Sequence, residues 1–236
     1  PKSAHAAVCS KAGDPTIGGY PAKCADQVAG KLSAANNNYI NCSSFMLGDN
    51  DAIHARKDNF AAYHLLMLDD IGTKIPFDRF GNFEWSYLLE TSPGNYQIGI
   101  ILDESITNGD EANRLLDAVI AKGLCDAGAN GATSRWARLP VGINGKAKHA
   151  NEAGEPFQCR LVEWNPERVY TQQEIIDGLK LELAPAAEPT LQSAVNSDPA
   201  RDHGNDDADD VFTPKSAENP VITALKVRGL YKTPLG

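Results

Sequence analysis

The sequence predicts an α/β or α+β fold in which a mixed or antiparallel sheet is flanked by helices. Short apolar runs that end in turn residues indicate strands, and amphipathic runs with capping signals indicate helices interleaved with them. The chain has 236 residues, of which 42% are hydrophobic and 22% charged. It is therefore long enough to bury a core and has the composition of a globular protein.

The N-terminal part predicts one helix and one strand. The first forty residues are rich in Ala, Gly, Asn and Lys, with a plausible helix near 22–34. An Asn triplet marks a break, and segment 38–47 alternates well enough to be a strand. The polar segment 48–59 is expected to be a loop or a short helix. Within it, Arg56 and Lys57 are either a solvated surface pair or contacts for a nucleic-acid backbone.

The stretch 63–74, YHLLMLDDIGTK, is a short apolar run that ends in two adjacent carboxylates. Such a run predicts a buried strand, and Gly72 allows the chain to turn away after Asp69 and Asp70. Carboxylates placed there can present a divalent metal to a phosphate, although an Asp-Gly-type turn after a core strand has the same pattern. Adjacent side chains on a straight strand face opposite ways, so both can share one site only if the strand ends or bulges between them.

Segment 83–102 predicts a β-hairpin, because alternating apolar residues flank a Pro-Gly pair at 93–94. Ser92, Asn95 and Gln97 surround this turn. Backbone N–H groups exposed at a tight turn can hold a phosphate, and Gln97 adds a neutral donor and acceptor. The alternative interpretation is an ordinary Pro-Gly hairpin.

A helix is predicted over about 111–123, where apolar residues recur at helical spacing before a glycine cap. Asp126 follows it and is either a further carboxylate for a metal or the start of a loop. Asp103 and Glu90, which flank the hairpin, are the reserve candidates.

Segment 134–149, SRWARLPVGINGKAKH, carries four cations and no acid: Arg135, Arg138, Lys146 and Lys148. Arg and Lys at this density suit contacts with a triphosphate or a nucleic-acid backbone. A solvated basic loop is the alternative, but an Arg flanked by Trp and Leu is not typical of one.

The C-terminal part predicts a strand at 157–164 and a helix opened by the capping box Thr171–Glu174 and running to about 182. We therefore predict a single sheet domain over 1–183. The acidic, Pro- and Ala-rich segment 184–214 predicts a disordered, flexible linker. Segment 215–236 predicts a C-terminal helix as the start of a further helical segment or a truncated downstream domain.

Composition narrows the function classes. The segment between Glu188 and Asp210 holds −6 of the net charge of −9, so the remainder of the chain does not exclude nucleic-acid binding. No run approaches the roughly 18 apolar residues of a membrane helix, and no signal peptide is recognisable, so we expect a cytoplasmic protein with no membrane partner. Five scattered cysteines predict reduced thiols without a zinc site.

Three motifs in this order, MLDDIGTK, ETSPGNYQ and SRWARLPVGINGKAK, resemble the archaeo-eukaryotic primase superfamily. The likeness covers roughly 38–182 and is greatest to RepB-type primase or primase-polymerase domains of plasmids, phages and prophages. Two departures are the adjacent acids, which many members separate by one residue, and Gln97, where many members have a histidine. The resemblance implies site residues in four places. These are motif one at Asp69 and Asp70, motif two at Ser92, Asn95 and Gln97, a third carboxylate at Asp126, and a nucleotide- or template-binding segment at Arg135, Arg138, Asn144 and Lys146.

The resemblance implies template-directed nucleotidyl transfer on single-stranded DNA from NTP or dNTP substrates. Two Mg²⁺ or Mn²⁺ ions would be held by Asp69, Asp70 and Asp126. Arg56, Lys57 and Lys148 would follow the template, and a helicase or other replication domain is expected further along the full-length chain. Two alternatives stay open: a non-catalytic replication-initiation module that binds DNA, and a metal-dependent nuclease.

Overall fold

The computed structural model describes residues 4–28, 30–48, 51–126 and 131–185. The strands within these ranges are β1 (His5–Lys11), β2 (Lys23–Cys24), β3 (Asn37–Phe45), β4 (Phe60–Ile71), β5 (Tyr87–Ser92), β6 (Asn95–Ile106), β7 (Trp136–Arg138), β8 (Ile143–Asn144), β9 (Phe157–Gln158), β10 (Arg160–Trp164) and β11 (Val169–Tyr170). The α-helices are α1 (Ala25–Val28), α2 (Gly109–Ala121) and α3 (Gln172–Leu179).

Nine of the described strands form one mixed sheet. Its main path runs β10-β5-β6-β4-β3-β1-β2, and every neighbouring pair on this path is antiparallel. β11 pairs with β6 in parallel, and β7 pairs with β3. β8 and β9 form a separate two-stranded sheet. The predicted fold class, a mixed sheet flanked by helices, is confirmed.

The centre of the sheet is the apolar run of β4 beside β6, where Leu66 pairs with Ile100. Successive β4 side chains such as Leu65, Leu66 and Leu68 are all fully buried, so both faces of the strand are covered. Helix α2 packs its apolar stripe against these strands. Asn108 caps α2 by accepting hydrogen bonds from two N–H groups of its first turn.

The sheet opens between β3 and β4. Strand β3 pairs with β4 through residues 43–45 and with β7 through residues 39–41. Beyond Tyr63, β4 therefore diverges from β3, and β7 takes its place beside the first half of β3. The end of β4 that carries Asp69 and Asp70 lies beyond this divergence.

The prediction of a helix over 22–34 is wrong, because α1 has only four residues and follows two unpredicted strands. The helix ends where Gly30 adopts φ +77°, which L side chains rarely adopt. Strand β1 escaped prediction because its apolar residues are consecutive and small, so they give no alternation; burial on both faces decides its structure.

Most other predicted elements are confirmed. Strand β3 accounts for 38–47, β5 and β6 form the hairpin, and α2 accounts for 111–123. The predicted strand at 157–164 is divided into β9 and β10. The capping box of α3 is present, but the helix ends at Leu179 because Lys180 takes the left-handed conformation at φ 53°.

All five cysteines are free and buried, as predicted for reduced thiols. No helix in the described part of the chain is long and apolar enough to cross a membrane. The predicted linker, from residue 186 onward, and the predicted segment 215–236 lie outside the described residues.

Candidate active site

Asp69 and Asp70 lie in a β-bulge. The register between β4 and β6 shifts between Leu68 and Ile71, and Asp70 has a left-handed backbone with φ 62°. The Asp70 N–H donates to Asp69 Oδ1 at 2.9 Å. The break that the sequence required between the two acids is therefore present, and it gives each carboxylate different partners.

Asp70 and Asp126 converge on the ammonium group of Lys74. Lys74 Nζ lies 2.7 Å from Asp70 Oδ2 and 3.1 Å from Asp126 Oδ1. The Lys74 side chain is 62% exposed, so the group lies at the rim of the site. Hydrogen bonds to Asp70 and Asp126 raise the pKa of Lys74 above its ordinary value. The structure thus brings together two of the three predicted carboxylates, around a cation that sequence reasoning left without a role.

The tight turn after β4 returns Lys74 towards Asp70. The backbone N–H groups of Lys74 and Ile75 both donate to the Asp70 carbonyl, at 3.0 and 3.1 Å. Gly72 N–H donates to the Ile75 carbonyl at 2.8 Å. The sequence offered a signal for this arrangement, because Lys74 follows Asp70 by four residues and a turn of that length brings such residues together.

Asp69 has partners other than the Lys74 ammonium group. Its carboxylate accepts from the Asp70 N–H and is hydrogen-bonded to the Gln97 side chain. Burial raises the pKa of Asp69, and the neighbouring Asp70 charge adds to this, while these hydrogen bonds and the Arg135 charge oppose it.

The turn after β4 packs against the turn of the β5–β6 hairpin. A Cβ atom on Gly72 would lie 2.6 Å from the Gly94 carbonyl oxygen, so only glycine allows this approach. The Thr73 hydroxyl donates to Asn95 Oδ1 across the same contact. Gly94 N–H donates to the buried Glu90 carboxylate at 3.0 Å. This backbone N–H of the turn is therefore bonded within the protein and is not free to hold a phosphate.

The remaining hairpin predictions fall on buried or engaged side chains. Ser92 and Gln97 are buried, and Gln97 Oε1 accepts from the Arg138 backbone N–H at 3.0 Å. The reserve carboxylate Glu90 is paired with Arg160. The other reserve, Asp103, lies eight residues along β6 from Asn95, which is about 26 Å at the rise of a strand.

Arg135 is a buried connector between β4 and the chain that follows α2. The residue retains only 5% exposure. Nε donates to the Met67 carbonyl at 2.9 Å, and the guanidinium also donates to Cys125 Sγ at 2.9 Å. Arg135 thus links the strand that carries Asp69 to the residue that precedes Asp126.

Arg138 and Asn144 belong to a buried network under the basic segment. The Arg138 guanidinium donates to the Ile143 carbonyl at 2.9 Å and to Asn144 Oδ1 at 3.0 Å, and it lies over the Tyr39 ring. Asn144 Nδ2 donates to the Thr91 carbonyl at 2.8 Å. These donors are directed to protein acceptors rather than to solvent.

Two buried asparagines at the start of β3 hold the same segment and were missed by sequence reasoning. Asn37 Oδ1 accepts from the Gly145 N–H at 2.8 Å, and Asn38 Nδ2 donates to the Val141 carbonyl at 2.6 Å. The Asn triplet was the available signal. We interpreted it as a break because asparagine favours turns, whereas here its amides bond backbone groups far along the chain.

The predicted DNA-contacting residues lie in two regions. Lys148 is exposed and Lys146 is half-buried, near the end of the basic segment. Arg56 and Lys57 are exposed just before β4 begins, and Lys57 Nζ lies 3.9 Å from Asp110. Because Asp70 is ten residues from the start of β4, this second region is about 33 Å from it along the strand.

The carboxylates of Asp70 and Asp126, at the exposed rim of the site, suit a metal ion whose other ligands come from water or substrate. Within residues 4–28, 30–48, 51–126 and 131–185, no group of three or more His, Cys, Asp or Glu side chains is arranged to hold a metal. Mg²⁺ commonly uses one or two carboxylates together with water and substrate phosphates. The Lys74 ammonium group lies within 3.1 Å of both Asp70 and Asp126, so one cation position serves both oxygens and the pair fits such an ion.

A family model described as the RepB DNA-primase N-terminal domain matches residues 26–184. The chain belongs to this family. The match includes Asp70, Asp126 and the whole basic segment of this primase domain, and it confirms the resemblance seen in the three motifs. Among curated proteins, none matches the chain.

Solved structures are similar to this primase domain in fold. Primase RepB′ is 15% identical, with a TM-score of 0.50 over 76% of this chain and 57% of that chain. The catalytic domain of primase RepB′ in complex with initiator DNA is 15% identical, with a TM-score of 0.48 over 76% of this chain and 86% of that one. The primase-polymerase (AEP) domain of cyanophage S-2L is 12% identical, with a TM-score of 0.49 over 74% and 89%.

Proposed function

We propose that this primase domain catalyses metal-dependent, template-directed nucleotidyl transfer on single-stranded DNA, in the replication of a phage, prophage or plasmid. Its substrates would be NTPs or dNTPs. One observation carries the proposal: Asp70 and Asp126 converge on a single cation position beside the hairpin turn. Family membership supports the choice of DNA priming among the reactions that such a pair of carboxylates could serve.

In this proposal Asp70 and Asp126 hold Mg²⁺ or Mn²⁺, which when bound would neutralise the triphosphate and assist attack by a 3′-hydroxyl. Asp69 is the nearest candidate for the third carboxylate of the expected two-ion site, because it is adjacent to Asp70. Its carboxylate is held by a hydrogen bond to the Gln97 side chain. Asp69 thus supports the bulge through its hydrogen bond to the Asp70 N–H, and its carboxylate would have to leave Gln97 to reach a second ion.

The basic segment has two proposed roles. Lys146 and Lys148, which are the more accessible cations, would contact the triphosphate or the template backbone. Three buried residues of the segment would act indirectly: Arg135, Arg138 and Asn144. Their hydrogen bonds to Met67, Ile143 and Thr91 hold the segment against the end of the sheet. Ser92, Asn95 and Gln97 would likewise fix the hairpin turn on which the substrate lies.

The proposed setting follows from the reaction. Because the proposed reaction belongs to the replication of a phage, prophage or plasmid, we propose that the protein acts in the cytoplasm of a bacterial or phage-infected cell. We propose a helicase or another replication domain as partner in the full-length chain, since this chain spans 57% of primase RepB′. Arg56 and Lys57, at the far end of β4, would contact template that extends away from the site.

Incorporation of labelled nucleotide on single-stranded DNA tests the proposal. The reactions contain Mn²⁺ or Mg²⁺, with and without an annealed primer, and each is run with NTPs and with dNTPs. We expect product from the wild-type chain and loss of about 10²-fold or more from Asp70→Asn and Asp126→Asn, because each removes a charged ligand. The unprimed reactions separate a primase from a protein that only extends primers.

The two alternatives give different results in the same assay. A nuclease would shorten the template without added nucleotide. A non-catalytic DNA-binding module would retain DNA binding in Asp70→Asn and make no product with any substrate. Absence of both product and nucleotide binding in the wild-type chain would reject the catalytic proposal.

A further inference from the structure

Lys74 occupies the place between two carboxylates that a metal-dependent enzyme would need for its metal. Its ammonium nitrogen is 2.7 Å from Asp70 and 3.1 Å from Asp126, and these acids are 56 residues apart in the chain. Two carboxylates that face one point repel each other unless a cation lies between them. The charge of Lys74 therefore stabilises the geometry of the pair.

The position of Lys74 is built by the backbone. The left-handed conformation of Asp70 starts the turn, and two N–H groups bonded to the Asp70 carbonyl close it. The turn is also joined to the hairpin, through Thr73 and Asn95 and through the close approach of Gly72 to the hairpin backbone. The Lys74 stem thus begins from a fixed point close to the carboxylates, and only its flexible end has to move for the ammonium group to leave.

We propose that Lys74 is the resident counter-cation of the Asp70–Asp126 pair, and that a divalent metal ion binds there by displacing its ammonium group. This inference rests on the proposed function, because it takes the pair to be the metal site. Displacement weakens metal binding by the protein alone. Substrate phosphates compensate in two ways, because they supply further oxygen ligands to the metal and a new partner for the released ammonium.

This competition couples metal binding to nucleotide binding. With Lys74 present, the metal gains most when a triphosphate arrives with it, so each ligand strengthens the binding of the other. Without the Lys74 charge, the pair is open to metal at all times, and the coupling decreases. Lys74 is therefore a positioning residue. It weakens the binding of metal alone and so favours the binding of metal together with nucleotide.

The test is Mn²⁺ binding by calorimetry to the wild-type chain, Lys74→Met and Lys122→Met, without nucleotide. Methionine keeps the length of the stem and removes the charge. Lys122 is an exposed lysine four residues before Asp126, so its variant controls for the change in net charge. We expect Lys74→Met to bind Mn²⁺ about threefold or more tightly than wild type, since two exposed ion pairs no longer compete. Lys122→Met should bind like wild type.

A thermal-unfolding measurement supplies a second readout that is independent of activity. In EDTA, Lys74→Met should unfold at a lower temperature than wild type, because the carboxylates then repel each other. Saturating Mn²⁺ should remove that difference. In Lys74→Met/Asp126→Asn the gain in Mn²⁺ affinity should disappear.

Two results would overturn the inference, and they differ. If the wild-type chain binds Mn²⁺ and Lys74→Met binds it equally or more weakly, Lys74 is not a competing cation, and the proposed function stands. If neither protein binds Mn²⁺ and the wild type incorporates no nucleotide, the inference and the proposed function are both rejected.

Discussion

Arg135 Nε donates a hydrogen bond of 2.9 Å to the Met67 carbonyl, at the place where β4 has diverged from β3. A strand that loses a neighbour exposes unpaired backbone groups, which are costly when buried. Arg135 provides the missing donor and uses the same guanidinium to reach Cys125. A buried arginine thereby connects the strand that carries Asp70 to the segment that carries Asp126.

Replacing Arg135 should destabilise the fold. Arg135→Met leaves the Met67 carbonyl and Cys125 without their donor, and we expect a loss of about 2–4 kcal/mol in the free energy of unfolding. Arg135→Lys keeps the charge but cannot reach both acceptors, so its free energy of unfolding should lie between those of the wild type and Arg135→Met. Urea unfolding measures the effect, with Arg56→Met as the control because Arg56 is exposed. If Arg135→Met unfolded at the same urea concentration as that control, the hydrogen bonds from Arg135 to Met67 and Cys125 would not stabilise the fold.

Arg135 also marks where sequence reasoning was limited. Arginines at 135 and 138 were predicted to face a substrate because composition favours a solvated or ligand-binding role for cations. Their acceptors are backbone carbonyls, side-chain amides and a thiol, as far as 101 residues away, and no local pattern reports such partners. In contrast, β4, the Pro-Gly hairpin, α2 and the capping box of α3 were predicted, because each depends on local periodicity or turn chemistry.

The candidate site was predictable in part for the same reason. The acids at Asp69 and Asp70 follow a strand-like run, and the need for a bulge follows from the alternation of strand side chains. The short strand β7 and the asparagines at the start of β3 gain their roles only from tertiary pairing. The sequence shows Lys74 four residues after Asp70. Its role between two carboxylates could not be predicted, because only the fold brings Asp126 beside it.

The left-handed backbone of Asp70 predicts an order of stability among its variants. Asparagine tolerates φ near 62°, whereas alanine in this conformation costs about 1 kcal/mol or more. Asp70→Asn should therefore be more stable than Asp70→Ala, although both lose the charge. Urea unfolding compares them, with Asp126→Asn and Asp126→Ala as the matched pair, since Asp126 lacks this conformation. Equal stability of the two Asp70 variants would argue against backbone strain at this position.

The contact between the two turns can be isolated with two glycines. Gly72 and Gly94 have similar left-handed φ values of 87° and 69°. A Cβ atom would lie 2.6 Å from a carbonyl oxygen at Gly72 and would meet nothing within 4 Å at Gly94. Gly72→Ala should lose about 1–3 kcal/mol more than Gly94→Ala, because it adds a clash to the shared conformational cost.

Nucleotide incorporation should follow the same order. Gly72→Ala moves the turn that holds Lys74 and Asp70, so it should decrease product more than Gly94→Ala, measured at a temperature where both variants are folded. Equal losses of stability and product would indicate that the two turns do not depend on this contact.

A buried histidine far from the site predicts sensitivity to acid. His64 lies between Ser44 and Ser105, whose hydroxyl oxygens are 2.7 and 2.6 Å from its two ring nitrogens. Burial lowers the pKa of His64 to about 3, because the charged imidazolium is disfavoured inside the sheet. As the pH falls below about 6.5, His64 therefore becomes protonated in the unfolded chain but stays neutral in the folded chain.

The sign of the effect follows from this difference in pKa. Above pH 6.5 neither state binds the proton, and His64 makes no pH-dependent contribution. As the pH falls towards 3, His64 lowers the free energy of unfolding by about 1.4 kcal/mol per pH unit. His64→Gln should be less stable at pH 7.5 by about 1–3 kcal/mol, since its amide fits the serines less well. Urea unfolding between pH 7.5 and 5 should then show the gap between wild type and variant closing as the pH falls. A constant gap would mean that His64 is protonated alike in both states.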